Sequence, residues 1–110
     1  MGEIEITLQN IKDESLTALK ETFGDSYEDS KQEIEELLKE SEEKAKEWAA
    51  DLITGATRIE AVKYFLKTEK SLYENTLLKL AGIQQINASN LKDQLIQILI
   101  DKLGELANKQ

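Results

Sequence analysis

Apolar and small residues recur along the middle of the chain in alternating steps of three and four, at Ile34, Leu38, Ser41, Ala45, Trp48, Leu52, Gly55, Ile59, Val62 and Leu66. That spacing places one seam along one face of an α-helix. Upstream, Leu8, Ile11, Ser15, Ala18/Leu19 and Thr22/Phe23 repeat the pattern. It predicts a first helix from Leu8, ended by Gly24, with Asp25 or Ser26 as the cap of the next. Glu3–Leu8 alternates with a period of two, but no second strand candidate exists to pair with it, so a frayed end or a first helical turn is expected.

The second helix is predicted over Tyr27–Ile53 and the third over Arg58–Ala81. Ile59, Val62, Phe65/Leu66, Leu72/Tyr73, Leu77 and Leu80 of the third should point inward. Between the two helices the phase of the seam is kept across Gly55, as it would be in one continuous rod. Against that, Gly55 suits the residue just past a helix end, and Thr57-Arg58-Ile59-Glu60 has the spacing of a capping box. A break at Gly55 is the preferred reading. Leu78-Lys79-Leu80-Ala81-Gly82-Ile83 fits a glycine-terminated stop for the third helix, and the two isoleucines of Ile83–Ser89 predict a connection that packs down. Asn87, Ser89 or Asn90 then starts a last helix, Leu91–Ala107. Ile96 and Ile98 point about 200° apart at ~100° per residue, so that helix must be covered on most sides.

The expected fold is therefore all-α, a single four-helix, bundle-like domain. Long helices two and three, each ~35–40 Å at 1.5 Å per residue, would form an antiparallel hairpin. Helices one and four would pack on it. The over-apolar last helix adds the expectation of a homodimer, with Leu95, Ile96, Leu99, Ile100 and Leu103 near a two-fold axis.

Composition narrows the chemistry. The 110 residues contain no proline, cysteine or histidine. Imidazole bases, thiolate nucleophiles, disulfides and the common zinc sites are excluded. Neither glycine-rich phosphate loop occurs, and no cofactor is expected. No apolar run is long enough to span a bilayer, and Met1–Glu5 lacks the basic start of a signal peptide, so a cytoplasmic location is expected. Asn87-Ala88-Ser89 then matches a glycosylation acceptor by chance only.

The net charge of −8 is uneven: residues 1–50 carry 15 acids and 6 lysines, while residues 51–110 carry 7 acids and 8 bases. Phosphate backbones and anionic lipids repel such a chain, which disfavours nucleic acid and membrane partners. On the second helix Glu35–Lys39, Glu40–Lys44 and Glu42–Lys46 are spaced as i,i+4 ion pairs.

Three constellations remain. Glu36, Glu40, Glu43 and Glu47 form one row, as a solvated acidic face, a hard-cation site completed by another helix, or an interaction surface. Glu60, Glu69 and Glu74 are the candidates for carboxylate acid–base work, which needs two carboxyls flanking a cleft. Trp48, Tyr64, Phe65 and Tyr73 belong to the core or line an apolar pocket, with Tyr64 expected partly exposed. Packing signals outweigh chemical ones. The expected function is that of a structural or protein-interaction module with an unidentified protein partner and no catalysis. An acidic inhibitor of immunity-protein type, mimicking nucleic acid against a basic partner, is the alternative. An apolar-ligand binder is the third reading.

Overall fold

The computed structural model describes residues 2–68, 73–84 and 87–108. Helices α1 (Glu3–Phe23), α2 (Lys31–Thr54), α3 (Ile59–Thr68), α4 (Glu74–Gln84) and α5 (Ala88–Asn108) pack together, and no strand occurs among the described residues. The molecule is all-α. Glu3–Leu8 is helical from the start, and its acidic residues Glu3 and Glu5 sit in the first turn, where the helix dipole favours them.

Every fourth residue of α1 is buried: Thr7, Ile11, Ser15, Leu19 and Phe23. Gly24 ends the helix with φ +53°, its amide returning to the Lys20 carbonyl. Two consecutive 3₁₀ turns, Gly24–Ser26 and Glu28–Ser30, then delay α2 to Lys31, so Asp25 and Ser26 lie in a turn and do not cap it. These turns bring Tyr27 back to α1, where the Lys20 ammonium stands 5.5 Å from its ring centre.

In α2 the buried face is Ile34, Leu37, Ser41, Ala45, Ala49 and Leu52. Small side chains at Ser41, Ala45 and Ala49 let neighbouring helices approach closely. Leu38 and Trp48, expected inside, end up at the edges of this face, half-buried. The break at Gly55 is present. Gly55 is left-handed (φ +80°, ψ 8°), and the Thr57 amide donates to the Asp51 carbonyl at 3.3 Å. That bond occupies the amide a capping box would offer to Glu60. The Arg58 carbonyl accepts from Ala61 (3.0 Å) and Val62 (3.2 Å), so Arg58 and not Thr57 occupies the cap position.

Two expectations are corrected downstream. The third helix is not continuous: α3 ends at Thr68, and Tyr73 takes a left-handed conformation (φ +67°) before its carbonyl accepts the first bond of α4, from Leu77 at 2.8 Å. Leu66, Tyr73, Leu77 and Leu80 are all buried, so the apolar spacing survives the break and conceals it. Gly82 does not stop a helix either, because α4 runs through it to Gln84. Glu69, Leu72 and Ile86 lie outside the described residues. Asn87 caps α5, its Oδ1 accepting from the Asn90 amide at 3.0 Å.

No long hairpin of the second and third helices forms. α2 packs chiefly on α1 and α5, and α5 touches α1, α2, α3 and α4. The core is one cluster gathered round α5, inside a slab of 41 × 30 × 17 Å. Lys102 of α5 reaches Glu14 of α1 at 2.7 Å and Glu105 at 3.7 Å. Leu95, Ile96, Leu99, Ile100 and Leu103, assigned from the sequence to a dimer contact, are buried within a single chain. The surrounding helices supply the cover that a second subunit was expected to provide.

Candidate functional site

α2 is a helix of 24 residues whose inner face is fixed by α1, α4 and α5. Its outer face carries the acidic row: Glu36, Glu43 and Glu47 are exposed and Glu40 is half-exposed. The i,i+4 lysine pairs expected along this helix do not form. Lys44 turns instead to Glu47, at 3.9 Å, with both side chains largely in solvent. Glu36, Glu40 and Glu43 have no ion pair among the described residues. Ion pairs on an exposed helix face add only a few tenths of a kcal/mol, roughly 0.3–0.5, which hardly offsets the entropy of holding two long side chains. The row is thus a line of carboxylates on a rigid rod. No group of three or more acidic side chains among the described residues is placed to hold a metal ion.

The N-terminal end of the row approaches the one buried phenol. Tyr73 is 1% exposed and donates to Ser41 Oγ at 2.7 Å. Burial pushes its hydroxyl well above the ordinary tyrosine range, and the carboxylate of Glu40 adds to the rise. The hydrogen bond to Ser41 acts the other way. Such a phenol stays protonated and serves packing.

The other aromatics divide. Trp48 and Phe65 meet edge to face, ring centres 5.6 Å apart. Tyr64 is 72% exposed and Phe65 42%. Shallow grooves run elsewhere. One between α1 and α2, of about 630 Å³, is floored by Ile4, Leu8 and Ile53. Another between α3 and α5, of about 310 Å³, is lined by Leu66, Lys67, Lys92, Ile96 and Ile100. Both are open to solvent along their length.

Glu60 is exposed on α3, Glu69 lies outside the described residues, and Glu74 opens α4. Tyr64 is exposed as its place in the sequence implies, whereas Phe65 fits the inward stripe next to Leu66 and yet reaches the surface. In the ten residues of α3 only Val62 and Leu66 are fully buried.

Comparison with protein-family models, with curated proteins and with solved structures finds no match.

Proposed function

We propose that this protein is a non-catalytic helical interaction module that engages a basic partner protein through the acidic face of α2. The observation that carries this reading is the set of carboxylates at Glu36, Glu40 and Glu43, which no lysine or arginine among the described residues neutralises. Along one helix edge such a row has the spacing and sign to meet a basic groove, and it speeds encounter with one. The same observation supports a narrower form, an acidic inhibitor that occupies the nucleic-acid site of its target.

Affinity capture at low and high salt tests the proposal, using the wild type beside a variant with Glu36, Glu40, Glu43 and Glu47 all changed to Gln. Basic proteins held by the wild type, lost at high salt and absent with the variant, are the expected result. Equal retention by both proteins would remove the acidic row from the function. Displacement of the captured protein by a DNA oligonucleotide would single out the inhibitor form.

A further inference from the structure

α3 is held less firmly than the helices around it. It buries only Val62 and Leu66 in full, whereas α1, α2 and α5 each bury five side chains or more. Its packing is chiefly on α5, where half-buried Ile59 lies beside Gly104. To α2 it offers the ring of Phe65, which meets Trp48 edge to face and is itself 42% exposed. The groove between α3 and α5 undercuts the helix, with Leu66 on one wall and Ile96 and Ile100 on the other. At 8% and 5% exposed, those two isoleucines are the least covered of the buried residues of α5.

Both flanks of α3 are fixed without its help. α2 closes its own end, because the Thr57 amide returns to the Asp51 carbonyl and Leu52 is buried one residue further on. On the other flank, buried Tyr73 donates to Ser41 of α2, and Leu77 and Leu80 follow it into the core. α5 keeps its packing on α1, α2 and α4 whether or not α3 is in place. A short helix with few buried side chains between two anchored ends is the kind of segment that opens by itself, ahead of the molecule as a whole.

We propose that α3 is a strap: residues 58–68 open as one unit while α1, α2, α4 and α5 stay packed. Opening takes away Leu66 and Phe65. It uncovers Ile96 and Ile100 of α5 together with the Trp48 edge of α2, an apolar surface that the closed molecule hides. The strap does not depend on the basic partner proposed above, since Glu36, Glu40 and Glu43 lie on α2, which keeps its structure in both states.

The test is amide hydrogen exchange of the wild-type chain, read by NMR at rising urea below the unfolding transition. The amides of Val62–Thr68 are expected to exchange at least about 100-fold faster than those of Leu95–Leu103, through one shared opening with little dependence on urea. Those of Ser41–Ala49 should stay with α5. The chain has no cysteine, so Val62→Cys and Leu99→Cys each carry a single thiol for a second readout. The thiol at position 62 is expected to react with a maleimide at urea concentrations where the thiol at position 99 is protected. Exchange in α3 that follows urea as steeply as exchange in α5 would overturn the proposal, because α3 would then open only with the whole molecule. So would protection that falls stepwise from Val62 to Thr68, the mark of a fraying end, or loss of protection in Ser41–Ala49 together with α3. Equal reactivity of the two thiols would overturn it as well. None of these outcomes bears on salt-sensitive capture of a basic protein.

Discussion

The Tyr73 hydroxyl donates to Ser41 Oγ at 2.7 Å across 32 residues of sequence, with both side chains buried. The bond pins the start of α4 to the middle of α2 at the point where Tyr73 holds a left-handed backbone. That conformation costs about 1–2 kcal/mol for a residue with a side chain. Burial of the ring and the hydrogen bond to Ser41 hold it in place.

The two halves of this bond are expected to respond unequally to mutation. Ser41→Ala strands a buried phenol hydroxyl and should cost about 1–3 kcal/mol. Tyr73→Phe leaves a serine hydroxyl on α2 that can turn to the carbonyl four residues earlier, and should cost about 1 kcal/mol or less. Urea unfolding of both variants checks the order. Equal losses would mean that the bond contributes only packing.

Alkaline stability should carry the signature of the same phenol. Its folded pKa is raised by burial, so the unfolded chain releases the proton first, near pH 10. Its contribution is therefore complete below about pH 10 and is lost above it. Above about pH 10 the unfolding midpoint of the wild type should fall more steeply than that of Tyr73→Phe. Parallel curves would place Tyr73 in water.

Two glycines should answer to alanine with opposite signs. At Gly55 nothing lies within 4 Å of an added Cβ, yet φ is +80°, so Gly55→Ala is expected to cost ~1 kcal/mol through backbone strain alone. Gly104 is inside α5, where a Cβ would meet only Ile59 Cγ1 at 4.0 Å. Gly104→Ala is expected to gain up to ~1 kcal/mol from helix propensity. Thermal unfolding of the pair separates backbone from packing effects.

Carboxylates three and four apart on α2 repel one another, and only Glu47 of the row has a lysine partner among the described residues. Glu43→Gln relieves contacts with Glu40 and Glu47 and should raise stability by about 0.2–0.5 kcal/mol at low salt. The gain should shrink as added salt screens the row. A gain that survives at high salt would point to a local packing change.

The sequence was most informative where a residue has one conformational use. Gly24 and Gly55 end helices as expected, and Asn87 caps the last one. It misled where periodicity and backbone part company. Leu66 and Tyr73 are seven residues apart, two helical turns, so the stripe reads through a break that contains no glycine or proline. Tyrosine in the left-handed region is a tertiary choice, made by the pocket around its ring, and no local signal announces it. For the acidic row the positions were legible, but the absence of ion pairs at Glu36, Glu40 and Glu43 among the described residues was not, since spacing allows ion pairs without requiring them. The excess of apolar residues in α5 implied cover on several sides, and four helices of the same chain provide it.

That last helix touches every other one, which sets an order of events for the growing chain. While residues 2–84 are emerging from the ribosome, Ile11, Leu19, Ile34, Leu37, Val62 and Leu66 have no completed core to enter. Leu95, Leu99 and Leu103 arrive last, and they close it. The apolar surface that α1, α2, α3 and α4 bury against α5 thus stays open to water until α5 is made, for several seconds at a synthesis rate of roughly 5–20 residues per second.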